Sequence, residues 1–359
     1  MRIIYSFNKK GFEAECWIKE IENASAADDQ FIAFNHGTYL DPNKYLEAYQ
    51  LDDLYRERHP GLMQMYQDLE ALIERTQAEA IFVTNCPPYH PEFLRTLPIY
   101  KALYSTDDTV STYTRNIPYL HGYDHVLYCI LSFSRDMDMQ TKMRYCGMQN
   151  ADWLPLGVFD FECDVSKPAD DLFSQPRDID VIYVGGFWWQ KLDTLVQIRR
   201  AFGRRFKMYG FYLTKHNVYL NVRHRYGAWI RPVSFQERVS LYQRARIGFN
   251  LHYNEFMLGN QRLYHLPANG VMELSDCPET LSQVYEPGSE VVPYESTSDL
   301  IDKLQYYLKH EDERLAIARR GYQRTMRDYR FGPNLQQAAA LLKRGMERIG
   351  WRHGEYVGA

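Results

Sequence analysis

The sequence has few of the features that mark secreted, zinc-binding or membrane-spanning proteins. Only six cysteines occur in 359 residues, and no pair of them has the spacing C-x-x-C. This pattern argues against a disulfide framework and against a zinc site, and it favours a reducing cytoplasm. No apolar run is long enough to span a membrane, and Lys9 interrupts the first one, which argues against a signal peptide.

An excess of charge of one sign is also missing. The 42 basic and 46 acidic residues leave a net charge of −4 at pH 7. This balance gives no support for a general attraction to nucleic acid, so we expect no such partner. With 45% apolar and 25% charged residues the composition is globular, and 359 residues exceed what one core usually holds. Two domains are therefore predicted.

Strand-like and helix-like segments alternate along both halves of the chain. In the first half the predicted strands are 2–8, 31–35, 80–84, 100–105, 125–131 and 153–156, and the predicted helices are 12–23, 62–76 and 135–145. In the second half the predicted strands are 179–184, 206–209, 228–233, 247–251 and 271–274, and the predicted helices are 188–202, 234–244, 262–268, 297–310, 312–329 and 335–349. Such alternation predicts doubly wound, mostly parallel α/β sheets.

A polar, acidic stretch separates the two alternating regions. Residues 158–178 carry two prolines, and this composition predicts a linker. We therefore predict one domain over residues 1–157 and a second over 179–334. A C-terminal helix and tail over 335–359 follow, and this helix is a candidate to cross back to the first domain.

The clearest single unit lies between residues 247 and 290. Strand 247–251, helix 262–268, the break at Asn269-Gly270 and strand 271–274 together predict a β-α-β unit. In such sheets, ligands bind at the loops that leave the carboxyl ends of the strands. The polar residues that this rule places near a ligand are Asn254, Glu255, Asn260, Gln261, Arg262 and His265.

Several stretches, spread in order over nearly the whole chain, resemble motifs of one known family. They are W-L-P-L-G-V at 153–158, V-G-G at 184–186, Q-R-L-Y-H at 261–265 with A-N-G at 268–270, V-Y-E-P-G-S-E-V-V at 284–292 and L-K-H-E-D-E-R-L-A-I-A-R-R-G at 308–321. The chain thereby resembles GT-B glycosyltransferases of the group 1 type, and most of all their CgeB-like (spore maturation protein-like) branch. The resemblance implies two Rossmann-like domains that face a central cleft.

The resemblance also implies an activity. The family transfers a sugar from a nucleotide-diphosphate-sugar donor, held mainly by the second domain, to an acceptor held mainly by the first. No metal ion and no other cofactor is expected, because helix N-termini and basic side chains can neutralise the diphosphate. Most group 1 relatives retain the anomeric configuration, so retention is expected here.

For the donor, the resemblance implies contacts from the loops of the second domain. Lys191 and Arg262 are predicted to bind the diphosphate, with an ordinary surface lysine as the alternative for Lys191. His265 stands where the family carries a glutamate that contacts the ribose, and an imidazole can still hydrogen-bond a hydroxyl group. The predicted donor-binding set is Gly185, Gly186, Lys191, Glu255, Arg262, Tyr264, His265, Asn269, Gly270 and Glu286.

In the first domain, polar residues follow the predicted strands. Asp107 is predicted to act as a base toward an acceptor hydroxyl or to orient it, and the alternative is that Asp107 and Asp108 cap a loop. His36 and His121 are the other predicted catalytic residues. His90 and Asp108 are predicted to bind the acceptor.

Several alternatives remain open at this point. The acceptor is a glycan, a small molecule or a protein. The departure at His265 motivates a second reading, a non-catalytic nucleotide-sugar-binding or scaffold protein on a degenerate GT-B fold. A third is a GT-B nucleotide-sugar epimerase.

Overall fold

The chain forms two compact units. The computed structural model describes residues 1–41, 48–84, 88–106, 116–132, 138–252 and 257–352. One unit consists of Met1–Gly157 with Phe331–Ala359, and the other consists of Val158–Arg330. Among the described residues, no helix is both long and apolar enough to cross a membrane.

The strands and helices of the described residues alternate as the sequence predicts. The strands are β1 (Arg2–Phe7), β2 (Gln30–Asn35), β3 (Ala80–Thr84), β4 (Tyr100–Ser105), β5 (His125–Tyr128), β6 (Leu131–Ser132), β7 (Ala151–Trp153), β8 (Ile179–Val184), β9 (Phe206–Tyr209), β10 (Ala245–Phe249), β11 (Met257–Leu258), β12 (Met272–Ser275) and β13 (Val292–Pro293). The helices are α1 (Gly11–Asn23), α2 (Ala48–Arg56), α3 (Pro60–Thr76), α4 (Pro91–Thr96), α5 (Met139–Tyr145), α6 (Ala169–Ser174), α7 (Trp189–Phe202), α8 (Thr214–His224), α9 (Phe235–Gln243), α10 (Arg262–Ala268), α11 (Pro278–Leu281), α12 (Thr297–Lys309), α13 (Glu311–Asp328) and α14 (Phe331–Arg348).

Each unit is built on one parallel sheet. The first sheet has the strand order β2-β1-β3-β4-β5-β7, and the second has the order β13-β12-β10-β8-β9. The neighbouring strands pair in parallel in both sheets. The prediction of two doubly wound α/β domains is therefore confirmed. In a parallel sheet all carboxyl ends meet at one edge, so the loops that follow the strands are brought together there.

The buried residues follow the periods expected of a covered parallel sheet. All of β4 is buried, as is typical of a strand that is covered on both faces. Helix α3 buries Leu62, Met65, Leu69 and Leu72, and this spacing of three and four residues lines one helical face. Apolar burial of this kind accounts for the strong sequence signals of both elements.

Helix α14 packs in the first unit although it is last in sequence. The Asn150 side-chain amide donates a hydrogen bond to the Gly345 carbonyl oxygen at 2.9 Å. A Cβ atom at Gly345 would lie 2.5 Å from Tyr100 Oη, so the helix backbone approaches the sheet closely. The Lys343 ammonium pairs with the Asp29 carboxylate at 2.8 Å. The helix begins at Phe331, four residues before the predicted start at Leu335.

Two predicted features differ from the structure. No strand forms at 228–233, because the Asn217 side chain takes both backbone groups of Ile230, at 2.8 Å and 3.0 Å. Residues 158–178, for which a linker is predicted, belong to the second unit and include α6. The polar composition of that stretch reflects buried ion pairs as well as exposed turns, and the sequence pattern does not distinguish them.

Candidate functional site

The carboxyl ends of β8, β10 and β12 are neighbours in the second sheet. The loops that leave them carry Gly185-Gly186, Asn250 to His252, and Asp276-Cys277. Helix α7 begins just after the first loop without a side-chain cap, and its apolar residues Leu192, Leu195 and Val196 hold it against the core. This edge is therefore the place in the second unit where a ligand can meet several loops and one helix N-terminus.

Two glycines allow the first loop to pass close to its neighbour. Gly185 N donates to the Tyr209 carbonyl oxygen at 2.9 Å. Gly210 has a φ of +145°, and a Cβ atom there would lie 1.8 Å from the Gly185 carbonyl oxygen. Backbone atoms cannot yield to such a contact, so glycine is required at position 210.

Replacing Gly210 by alanine is expected to destabilise the protein by several kcal/mol and to displace the Gly185-Gly186 loop, because both the φ angle and the contact forbid a side chain. Chemical denaturation measures the first effect. Gly332→Ala is the matched control: a Cβ atom there meets nothing within 4 Å, and alanine favours a helix. Equal stability of the two variants would contradict the assignment.

Arg262 is held rigidly at the start of α10. Its Nε donates to the Val184 carbonyl oxygen at 3.0 Å, and its Nη1 donates to Asn250 Oδ1 at 2.7 Å. The guanidinium carbon lies 4.3 Å from the centre of the Tyr183 ring. These contacts tie the ends of β8 and β10 together and fix a positive charge between them.

Lys191 brings a second positive charge to the same place. It lies in the first turn of α7 and is 9% exposed. Burial, and then the charge of Arg262, lower the pKa of Lys191 to about 7. Neither cation forms an ion pair with a carboxylate among the described residues. Two buried basic side chains without an ion-paired acid make a candidate site for an anion, and the charge of Asp276 also acts on both of them.

Glu273 is a buried carboxyl group near this pair. Its side chain is fully buried, and burial raises the pKa of its carboxyl group well above the ordinary value, which disfavours the charged form. Asn250 Nδ2 donates to Glu273 Oε1 at 3.3 Å, and Asn260 Nδ2 donates to Asn250 Oδ1 at 2.8 Å. This network orients Asn250 Oδ1, the oxygen that accepts the hydrogen bond from Arg262.

His252, Asp276 and Cys277 form a cluster with the composition of a metal site. Their potential ligand atoms lie within 4.8 Å of one another. However, Gly259 N donates to His252 Nε2 at 3.4 Å, which leaves the imidazole proton on Nδ1. Nδ1 then donates to Asp276 Oδ1 at 2.5 Å. In this arrangement the imidazole orients Asp276 and has no lone pair on Nδ1 for a metal.

His265 lies in a buried ion pair. Its Nε2 is 2.9 Å from Glu162 Oε2, and Arg238 Nη2 is 2.8 Å from Glu162 Oε1. Burial by itself raises the pKa of Glu162, but His265 and Arg238 lower it to about 2. The imidazole is 3% exposed, so its position gives no support to the predicted ribose contact.

The neighbours of His265 in the predicted donor set also make contacts within the protein. Tyr264 is buried and packs edge-on against Tyr329, with ring centres 5.1 Å apart. Asn269 Nδ2 donates to the Glu162 carbonyl oxygen at 3.0 Å. Gly270, with a φ of +66°, ends α10 in a left-handed conformation that favours glycine.

Glu286 lies in an exposed turn. Its backbone N–H donates to Glu290 Oε2 at 2.8 Å. Gly288 N donates to the Val291 carbonyl oxygen at 2.8 Å and closes the turn with a φ of +80°. The Glu286 side chain is exposed, and its predicted contact with the donor stays a prediction. Asp107, Asp108 and Glu255 lie outside the described residues.

His36 is fully buried at the end of β2. Its Nδ1 is 2.8 Å from Ser6 Oγ, which in turn is 2.6 Å from Tyr89 Oη. Burial lowers the pKa of His36 to about 3, so the ring is neutral. A ring with no exposed surface does not reach a bound substrate in this structure, and the predicted catalytic role finds no support in its position.

His90 and His121 lie near one another in the first unit. Burial lowers the pKa of His90, and the charge of His121 acts in the same direction. His90 Nδ1 accepts from Glu92 N at 3.3 Å, and its Nε2 is 3.3 Å from Asp52 Oδ1. The ring stacks on Tyr55 with centres 4.0 Å apart. His121 is exposed in a turn of 3₁₀ helix and is free to contact a ligand.

A cavity of about 440 Å³ lies at the start of α1 and the end of β2 in the first unit. Its lining residues are Lys9, Lys10, Gly11, Ala14, Asn35, Gly37, Thr38, Tyr39, Leu40 and Asp41. The Lys9 ammonium pairs with Glu13 at 2.6 Å, and Lys10 is exposed beside it. Polar and apolar groups line the cavity in about equal measure, and it has the size of a site for a small ligand.

Sequence reasoning missed three residues that organise these sites. Asn250 and Asp276 lie directly after the observed strands β10 and β12, and this position at a carboxyl end is a signal that could have found them. Glu162 lies in the predicted linker, and no local pattern indicates that its carboxylate meets His265, more than 100 residues away.

With two parallel α/β units and an anion site at a sheet edge, the molecule has the architecture of GT-B glycosyltransferases. Residues 191–340 match a family model described as "Glycosyl transferase-like". Sucrose-phosphate synthase from Thermosynechococcus elongatus matches with a TM-score of 0.59 and 12% identity, over 97% of this chain and 100% of that one.

Two other solved structures show the same likeness. HepE from Anabaena, in complex with UDP, matches with a TM-score of 0.58 and 11% identity, over 96% of this chain and 100% of its own. An α-glucosyltransferase in complex with UDP-glucose and DNA containing an abasic site matches with a TM-score of 0.65 and 10% identity, over 96% of this chain and 99% of its own. At these identities the likeness is one of fold. None of the curated proteins matches the chain in sequence, and the CgeB-like resemblance stays a prediction.

Proposed function

We propose that this protein is a glycosyltransferase that uses a nucleotide-diphosphate-sugar donor. The observation that carries the proposal is the pair of buried cations, Lys191 and Arg262, with no carboxylate paired to either among the described residues. A diphosphate brings the negative charge that such a pair lacks. The match of residues 191–340 to a glycosyl transferase-like family supports the same assignment.

The chemistry that these residues supply is stabilisation of the leaving group. As the bond between the sugar and the diphosphate breaks, negative charge develops on the phosphate oxygen. Lys191, Arg262 and the N-terminus of α7 stabilise that charge, so the proposal requires no metal ion. Retention of anomeric configuration is part of the proposal, because a retaining transfer needs no strong protein base.

A UDP-sugar is the first donor to test, because two matched structures hold UDP or UDP-glucose. For the acceptor we propose the first unit, where the cavity of about 440 Å³ and the exposed His121 lie. A glycan, a small molecule and a protein remain the acceptor classes. The cytoplasm stays the proposed compartment on the basis of the cysteine pattern.

The test is a thermal-shift panel of UDP-, GDP- and dTDP-sugars, followed by donor turnover. One donor is expected to raise the Tm by several degrees at 100 times its Kd. Addition of EDTA is expected to leave the shift and the turnover unchanged. Absence of any shift with all nucleotides and nucleotide sugars would overturn the proposal.

Gly186→Ala provides a local probe of the same site. A Cβ atom there meets only Trp188 Nε1, at 3.8 Å, so the fold is expected to stay intact. If the phosphates approach the Gly185-Gly186 loop, donor binding is expected to fall while the Tm without donor does not change. Binding by wild-type protein without turnover of donor would favour the scaffold alternative, and conversion of the donor sugar to its epimer would favour the epimerase.

A further inference from the structure

The charge of this acidic protein is segregated. Residues 194–236 contain nine lysines and arginines and no aspartate or glutamate, whereas the whole chain has 46 acidic and 42 basic residues. Only two of the nine, Arg205 and Arg231, form ion pairs among the described residues, with Asp180 and Glu237. The other seven form no ion pair among the described residues.

The same part of the chain is unusually apolar at its surface. Among the described residues, fifteen large hydrophobic side chains are exposed, and eight of them lie between residues 188 and 229, which is far more than a segment of that length would hold by chance. They are Trp188, Trp189, Phe211, Leu213, Val218, Tyr219, Val222 and Trp229. We call these eight residues, with the basic residues of 194–236, the basic-aromatic surface. Apolar exposure of this density marks an interaction site.

Helix α8 shows how the surface is built. Its inner face is formed by Asn217 and Leu220, which are fully buried. Val218 and Val222 lie one turn apart on the opposite face and are 48% and 77% exposed. The helix therefore turns apolar side chains both toward the core and toward solvent.

Aromatic contacts join α8 to the start of α7. The rings of Trp189 and Tyr219 lie edge-on with centres 5.2 Å apart. Phe187 packs on Trp189 at 4.8 Å and stacks on His216 at 3.9 Å. These contacts make one continuous patch of the two helices.

A cavity of about 230 Å³ adjoins α8 at its C-terminal end. Its lining includes Arg199, Arg200, His224 and Arg225. Arg199 donates to backbone carbonyl oxygens, among them that of Tyr226 at 2.9 Å, and so shapes the cavity. Among the described residues, Arg200 and Arg225 have no ion-pair partner, and His224 Nε2 has no hydrogen-bond partner. These groups suit a phosphate.

We propose that the basic-aromatic surface docks the protein on an anionic phospholipid bilayer. The outward valines and aromatic rings enter the interfacial layer, and the arginine-lined cavity takes a lipid phosphate group. Tryptophan and tyrosine beside lysine and arginine are the composition that favours a membrane interface. This proposal does not rest on the proposed glycosyl transfer.

Two other occupants fit the surface less well. In a symmetric dimer, the nine basic residues of one copy would face the same nine of the other, and the like charges would repel. A nucleic acid would satisfy the arginines but leave Leu213, Val218 and Val222 without apolar partners. A bilayer satisfies both kinds of side chain.

The test is co-sedimentation of the full chain with vesicles of phosphatidylcholine alone or with about 30% phosphatidylglycerol. Binding is expected on the anionic vesicles only, and it should weaken as salt rises from about 0.05 to 0.5 M. Val218→Asp with Val222→Asp is expected to reduce partitioning at least about tenfold. Arg200→Glu with Arg225→Glu should remove the preference for anionic vesicles.

Controls separate this proposal from other outcomes. Tyr145→Ser removes a side chain that is 80% exposed in the first unit, and this variant should bind vesicles like the wild type. Unchanged Tm and circular dichroism show that each variant folds. Absence of binding to anionic vesicles at low salt overturns the proposal. Tighter binding to duplex DNA or RNA than to vesicles, or binding of glycerol phosphate without binding of vesicles, overturns it as well.

Discussion

Replacing Lys191 by methionine is expected to weaken donor binding by roughly 10- to 150-fold and to reduce transfer at least as much. The variant removes one charge-assisted contact to the diphosphate, which is worth about 1.5–3 kcal/mol. Isothermal titration with the donor identified in the thermal-shift panel measures the change. Lys309→Met, which removes an exposed lysine of the same unit, is the matched control.

The same variant is expected to stabilise the protein in the absence of donor. The pKa of Lys191 is lowered from 10.5 to about 7 because burial and Arg262 oppose its charge. Holding the charged form therefore costs stability below about pH 7, and this cost disappears as the pH rises toward 10.5. At pH 6 the methionine variant should unfold at a higher urea concentration than the wild type, by on the order of 2 kcal/mol, with the difference shrinking toward pH 10.

Proton uptake gives an independent readout of the same group. A bound diphosphate favours the charged form of Lys191, so wild-type protein at pH 8 should take up close to one proton per donor bound. Titration in buffers of different ionisation enthalpy measures this number, and the methionine variant should lose it. Equal donor affinity of variant and wild type would show that Lys191 does not bind the diphosphate.

Removing the negative charge of Glu162 is expected to destabilise the protein by about 3–5 kcal/mol, because Glu162→Gln leaves the buried imidazole of His265 and the half-buried guanidinium of Arg238 without their anionic partner. His265→Glu is expected to be destabilising as well, because it places a second carboxylate beside Glu162. The double exchange Glu162→His with His265→Glu restores an opposite pair and should recover part of the loss. Denaturant unfolding of the wild type, Glu162→His, His265→Glu and the double variant yields the coupling free energy.

The loss of folding stability at low pH tests the same contact between Glu162 and His265. The pKa of Glu162 is lowered from 4.5 to about 2, so its contribution is fully present above about pH 4.5 and is lost as the pH falls toward 2. The Glu162→Gln variant should lack this part of the pH dependence of stability. Asp170→Asn, at an ion pair whose acid is 90% exposed, is the control and should change stability by less than about 0.5 kcal/mol.

A stable and more active His265→Glu variant would instead indicate a ribose contact at that position.

Much of the fold could be predicted from the sequence because apolar runs and periodicity are local signals. The predicted bounds of β3, β8 and β9 agree with the structure residue by residue. Helix α8 received no prediction, since its outward valines and tyrosine hide the period that a buried face would give. The predicted strand at 228–233 was wrong because a side chain, Asn217, takes the hydrogen bonds that a neighbouring strand would have made.

The candidate site could be predicted only in part. Lys191 and Arg262 are predicted on two grounds: each lies at the start of a helix that follows a strand, where parallel sheets place their ligands, and each matches a basic position of the family that the sequence resembles. Their contact with a donor stays a prediction. The partner of His265 could not be found, because Glu162 is distant in sequence and lies in a stretch with the composition of a linker. Burial shifts the pKa of Glu273 upward and that of His36 downward, and the composition of the sequence gives no measure of this burial.

The position of α14 has a consequence for synthesis on the ribosome. The second unit is continuous in sequence, whereas the first is completed by a helix that begins at Phe331. Gly345, whose carbonyl oxygen accepts from Asn150, and Lys343, which pairs with Asp29, are made only after the whole of the second unit. Residues 1–157 therefore wait with part of their apolar surface uncovered while the second unit is made. During that interval the first half of the chain is the part that most depends on chaperones.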